Sequence, residues 1–177
     1  MKQKLFFTQK TTWVLGTLAV ATSAAVVFAL LSEQSGTSQT ENAAMAGKHS
    51  EPYQIEVWKD PNCGCCAEWA KRMEGSGFKV VVNNTGNREV REKFGMPRQY
   101  GSCHTAKVGG YIIEGHTPAA DIRRLLKEKP DALGLATPGM PLGSPGMDGE
   151  IYQNRKHPYD VLLVAQNGSS KVYQSYR

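Results

Sequence analysis

The first 31 residues contain no acidic side chain, and no cysteine occurs before position 63. The missing cysteine excludes a lipoprotein anchor at the N-terminus. With Lys2, Lys4 and Lys10 set aside, 18 basic residues remain against 16 acidic ones, so little of the formal net charge of +5 lies beyond the leader. No basic stripe is left to follow a phosphate backbone, which argues against nucleic acid as a partner. The composition is not that of a disordered chain either: 40% of residues are hydrophobic, 21% charged and 8% aromatic, enough for a core. A length of 177 residues allows one ordinary domain, or one domain behind a leader.

The three lysines precede an uncharged run over residues 13–31. A basic segment followed by an apolar one is an export signal. The run is longer than the usual ~7–15-residue signal core and close to the ~20 residues that span a bilayer. Ala19-Val20-Ala21 lies inside it and Ala44-Met45-Ala46 well beyond, so no small-x-small cleavage site closes it. Residues 1–31 are therefore expected to be a signal peptide or an N-terminal membrane anchor, with possible anchoring through residues 13–31. The lysines favour an N-terminus inside, and the folded part is then expected outside the cytoplasm, in the periplasm. Residues 32–50 are small and polar and read as a flexible linker.

Residues 51–177 read as one domain. Ile55-Glu56-Val57-Trp58 alternates as a strand, Lys59-Asp60-Pro61-Asn62 as a turn, and residues 66–74 as a helix stopped by Gly75 and Gly77. Residues 78–82 form a second strand and 88–94 a second, polar helix. Short strands over 105–108 and 111–114 flank Gly109-Gly110, a hairpin signal. Thr117 as N-cap and Pro118 as first residue open a third helix that buries Ile122, Leu125 and Leu126. Residues 133–147 are rich in Gly and Pro without clear periodicity. A last hairpin turns at Asn167-Gly168. The first strand–helix–strand calls for a parallel pair. The expected fold is α/β: a thioredoxin-like mixed sheet flanked by helices, with a C-terminal Gly/Pro/Met loop and hairpin.

All four cysteines fall in this domain, as Cys63, Cys65, Cys66 and Cys103. The string Cys63-Gly64-Cys65-Cys66 lies between the first strand and first helix. A helix N-terminus carries free N–H groups and partial positive charge, which favour thiolate. Cys63 and Cys66 have the spacing of either a redox pair or a metal clamp. Three cysteines in four residues make a poor staple, because so short a loop removes little chain entropy. Cys103-His104 precedes the strand that, in thioredoxin-like proteins, begins beside the Cys-x-x-Cys turn and usually carries a cis-proline. Here soft or borderline ligands stand in its place. His116 lies between the hairpin and the third helix, either as a ligand or as an ordinary loop residue. Clustered thiols select Cu(I), zinc or iron–sulfur centres.

Pro138-Gly139-Met140 recurs as Pro145-Gly146-Met147. A Pro/Gly loop is an unusual place for two core methionines, and soft, neutral thioethers favour Cu(I) over zinc. The alternative is that both side chains only pin the loop onto the sheet.

Several motifs occur together and in order: Asp60-Pro61-Asn62-Cys63-Gly64-Cys65-Cys66 with Trp69, Ser102-Cys103-His104-Thr105, Val108-Gly109-Gly110-Tyr111, Glu114-Gly115-His116, Pro118-Ala119-Ala120-Asp121-Ile122 and the Pro-Gly-Met pair. Over residues 53–165 the chain resembles the CopG-type copper-resistance family, a thioredoxin-like domain long catalogued as being of unknown function. The resemblance implies an exported protein that handles copper, alone or with other periplasmic copper-handling proteins. It implies metal ligands drawn from Cys63, Cys65, Cys66, Cys103, His104, His116, Met140 and Met147. Many members carry a histidine where this chain has Arg72. The expected function is to hold Cu(I), as one or more ions, for sequestration, transfer or redox conversion. Two rivals remain: a thiol–disulfide oxidoreductase using Cys63 and Cys66, and a structural zinc site.

Overall fold

The computed structural model describes residues 52–177. The leader and linker expected over residues 1–50 lie outside them. In the described part, β1 (Gln54–Lys59), α1 (Gly64–Gly75), β2 (Lys79–Asn83) and α2 (Arg88–Lys93) are followed by β3 (His104–Val108) and β4 (Tyr111–Gly115). Then come α3 (Ala119–Glu128), β5 (Gly134–Thr137), β6 (Tyr159–Val164) and β7 (Ser170–Tyr176). The strands form one mixed sheet in the order β2-β1-β3-β4-β5-β6-β7. β1/β2 and β4/β5 run parallel, and the other pairs antiparallel. The parallel β1–α1–β2 unit and the Gly109-Gly110 hairpin follow the sequence pattern.

Alternation along the strands builds two cores. Ile55, Val57, Ala106, Val108, Ile113 and Leu135 pack against Trp69, Ala70 and Met73 of α1 and Ile122, Leu125 and Leu126 of α3. Their neighbours Ile112 and Ala136 turn to the other face, under Met96 and Tyr100. Each buried aliphatic side chain stabilises the fold by about 1.5–3 kcal/mol. Trp69 has no solvent exposure, and its indole N–H donates to the Thr117 carbonyl at 2.9 Å. It therefore ties α1 to the β4–α3 connection, which sets two parts of the candidate site in register.

Three local expectations are corrected. α1 begins at Gly64, with Cys63 as its N-cap, so Cys65 and Cys66 lie in the first turn. Pro118, not Thr117, is the N-cap of α3. The Thr117 hydroxyl is buried and pairs with that of Thr137 at 3.0 Å, so it is not available to cap. β5 falls in the stretch read as irregular. Its four residues are all buried, so no alternation marks it.

Candidate metal centre

The Cys63-to-Cys66 segment is held at the start of α1 from both sides. The Cys63 N–H donates to the Asp60 carbonyl at 3.0 Å, and Ala67 N–H donates to the Cys63 carbonyl at 3.2 Å. No side chain caps this helix and its first turn has no acidic residue. Its positive end is left to the sulfurs. Cys63 and Cys66 are joined as a disulfide with Cα atoms 5.4 Å apart, while Cys65 and Cys103 are free. Cys65 points toward this pair, with its Sγ 3.5 Å from Cys63 Sγ. Cys66 is fully buried, with its Sγ 3.6 Å from the Cys103 carbonyl.

The sheet brings the second half. Cys103 immediately precedes β3, His104 is its first residue, and His116 follows β4. The sulfurs of Cys63, Cys65, Cys66 and Cys103 lie within 4.8 Å of one another. Donor atoms of Cys103, His104 and His116 form a second such group. Cys103 belongs to both, so the arrangement is one elongated ligand cluster hinged on a single sulfur.

Hydrogen bonds fix the imidazoles for ligation. His116 Nδ1 lies 2.8 Å from the Pro145 carbonyl oxygen, an acceptor only, so the proton sits on Nδ1. The bare Nε2 then faces Cys103 Sγ at 3.0 Å. A backbone carbonyl on the far nitrogen is the usual support of a metal-binding histidine. His104 has no solvent exposure, packs on Trp69 with ring centroids 4.4 Å apart, and leaves Nε2 without a hydrogen-bond partner. An orphaned buried polar group costs about 1–3 kcal/mol, unless something binds it. Its Nδ1 lies 3.6 Å from Cys103 Sγ.

Electrostatics agree with this geometry. Burial, reinforced by the neighbouring Cys65, pushes the Cys103 thiol up to about 12. Burial also holds His104 well below the ordinary histidine range, with His116 adding to the effect. His116 is lowered by burial too, against the pull of the Pro145 carbonyl. At neutral pH both rings are uncharged and ready to ligate, and a metal at Cys103 displaces a proton. Two neutral imidazoles, two free thiols and a reducible disulfide fit a soft cation.

The methionine loop acts on the site through its backbone. In the first repeat, the Gly139 carbonyl accepts the Ser102 hydroxyl, beside Cys103. In the second, Pro145 orients His116, and Gly146 lies flat on α1. A Cβ on Gly146 would lie 2.6 Å from the Cys65 carbonyl oxygen and 2.9 Å from Trp69 N, and its φ of +84° already favours glycine. Met147 is buried, whereas Met140 is half-exposed at 51%. Arg72 pairs with Asp148 at 2.8 Å, just past the loop. An open groove of about 570 Å³ runs beside Cys65 between Glu68, Arg72 and Asp148.

Sequence reasoning overlooked Glu114. It is fully buried in β4, where its carboxylate accepts Ser102 N–H at 2.7 Å, the Thr105 hydroxyl at 2.6 Å and Arg91 Nη1 at 3.0 Å. Burial nevertheless raises its proton affinity. Arg91 and Asn87 also donate to the Ser102 carbonyl. Ser102 and Thr105 are thus clamped on either side of Cys103-His104. The visible signal was a carboxylate inside the apolar strand Tyr111-Ile112-Ile113-Glu114.

Comparison with known proteins agrees with this picture. Residues 100–147 match the family described as "Protein of unknown function, DUF411". Two solved structures of a copper resistance protein copG, forms 2 and 1, superpose with TM-scores of 0.66 at 42% identity. They cover 72% and 71% of this chain, and 100% and 98% of their own. No curated protein was found to match.

Proposed function

The chain belongs to the CopG copper-resistance family, and on that premise we propose that it is an exported protein that binds Cu(I) through Cys63, Cys65, Cys66 and Cys103. The observation that carries this reading is the convergence of four sulfurs within 4.8 Å, adjoining two neutral histidines through Cys103. Thiolate and imidazole suit Cu(I) better than a hard cation. The thioredoxin-like description of the fold belongs to this reading. It is supported by the β1–α1–β2 unit with Cys-x-x-Cys at the helix start, facing the residues before β3.

Binding at all four sulfurs requires an external dithiol reductant to transfer two electrons to the Cys63–Cys66 disulfide, which breaks the S–S bond into two thiolates as the reductant becomes a disulfide. The oxidised form keeps the Cys103, His104 and His116 group, and the reduced form adds the thiolate group. His104 and His116 would complete the centre, so more than one copper ion per chain fits. Met147 is the better placed of the two methionines, because it is buried within the loop that covers the site. Copper would enter beside Cys65, the thiol that borders the open groove.

The basic-then-apolar leader supports export, with residues 1–31 as signal or anchor, 32–50 as linker and 51–177 as the metal domain of a periplasmic protein. Among the described residues no helix is long and apolar enough to cross a membrane.

Anaerobic titration of the reduced chain with Cu(I), against a competing chelator, tests the proposal. Tight binding at one or more equivalents, lost in Cys63→Ser and Cys103→Ser, is expected. Binding indifferent to both substitutions would remove the thiolate site. The Cys63–Cys66 disulfide at a helix N-terminus favours a second reading, thiol–disulfide exchange. Metal-independent insulin reduction at a rate typical of dithiol oxidoreductases would support it.

A further inference from the structure

β1 alternates strictly in burial. Ile55, Val57 and Lys59 are all buried, and the two aliphatic residues contact the helix-covered core. Lys59, read from sequence as the start of a turn, is the last residue of the strand and only 3% exposed. In the antiparallel register its partner is His104. Directly opposed side chains in such a pair start about 4.5–5.5 Å apart at Cβ. Lys59 and His104, a candidate ligand, therefore leave the sheet side by side on the same face.

Its hydrogen bonds all go to neutral oxygens: the Asp60 carbonyl at 2.8 Å, the Pro61 carbonyl at 3.4 Å and Asn84 Oδ1 at 3.1 Å. Among the described residues no carboxylate lies within 4 Å of it. Arg91, the other cation near the site, has the Glu114 carboxylate at 3.0 Å. A cation taken from water without a counter-charge is costly, and buried charges are ordinarily paired. The Asp60 carbonyl that accepts Lys59 Nζ also accepts the Cys63 N–H. A single oxygen thus links the ammonium to the first cysteine.

A copper-loaded cysteine centre would supply such an anion. One Cu(I) on three thiolates leaves two negative charges, as do two Cu(I) on four. We propose that Lys59 is the counter-cation and positioning residue of the cysteine centre, stabilising its copper-loaded, reduced state. This inference rests on the Cu(I)–thiolate reading above. Its sign is fixed: reducing bound Cu(II) to Cu(I) makes the centre more negative by one charge. A fixed cation therefore favours Cu(I), and removing it weakens Cu(I) binding and lowers the Cu(II)/Cu(I) potential.

The test uses the reduced full-length chain in mild detergent, with Cu(I) as the probe. Lys59→Met should weaken Cu(I) affinity by about tenfold, the scale of one partly screened charge, and lower the potential. Lys59→Arg should restore both. Asn84→Asp keeps the lysine but sets a carboxylate against its ammonium, so it should shift both readouts the same way without removing a buried group. A lysine that only ties the loop would give Lys59→Met a lower melting temperature, with the folded protein's affinity and potential unchanged. That result, or an Asn84→Asp variant equal to wild type in both, overturns the inference while leaving the copper reading intact. Wild-type protein that binds no Cu(I) overturns both.

Discussion

The two halves of the cluster reach the same sulfur under opposite conditions. Cys63, Cys65 and Cys66 crowd one helix start, Cys66 buried and Cys65 beside an open groove, and Cys63 and Cys66 are joined by a bond that reduction breaks. Cys103, His104 and His116 come from the ends of two strands, with both histidines fully buried and their surroundings held by Glu114, Arg91, Trp69 and Pro145. The first half can change its ligand count with redox state. The second is preorganised, and its geometry does not wait for the metal. On the proposed copper reading, the site has one adjustable wall and one fixed wall.

Substitutions that separate the halves give the sharpest tests. Cys103→Ser removes the only residue common to both groups. Its Cu(I) affinity should fall by more than the ~10–100-fold that losing a supporting partner costs, and a chelator competition reads this directly. Glu114→Gln attacks the fixed wall alone. It leaves Arg91 as an unpaired, mostly buried cation, so stability should fall by about 3 kcal/mol in chemical denaturation, while thiol content is unchanged. Gly146→Val presses the loop off α1. The clash and the left-handed backbone should together cost about 1–3 kcal/mol, seen in thermal melts of the metal-free protein. The smallest effects belong to the methionines. Met140→Leu should change neither stability, beyond ~0.5 kcal/mol, nor copper binding. Met147→Leu should cost less than ~1.5 kcal/mol in stability and weaken Cu(I) binding only if the thioether is a ligand.

Much of the fold could be read from residue patterns. The alternation of β1, the Gly109-Gly110 hairpin and the stop at Gly75 and Gly77 are local signals with local causes. β5 could not be read this way, because a central strand buried on both faces has no alternation. That Cys63, Cys65, Cys66 and Cys103 would meet, with His104 and His116 beside Cys103, was also legible, because the Cys-x-Cys-Cys string sits at a helix start facing the strand that begins at His104. The supports were not. Glu114 and Lys59 are charged residues at buried strand positions; the partners of Glu114 are 9 to 23 residues away in sequence, and Asn84, the side-chain partner of Lys59, is 25 away. For Lys59 the parity of Ile55, Val57 and Lys59 pointed inward, but its charge suggested a turn. The methionine repeat was read for its sulfurs, yet its contacts at Gly139, Pro145 and Gly146 are made by backbone. Only folding shows which carbonyl meets which ring.

X-ray absorption at the copper edge, on the reduced full-length chain loaded with Cu(I), tests the central claim most directly. The account predicts a first shell dominated by sulfur with a minor imidazole contribution, and a loss of sulfur scatterers in Cys63→Ser. A shell of nitrogen and oxygen alone, or a spectrum that Cys63→Ser leaves unchanged, would contradict it.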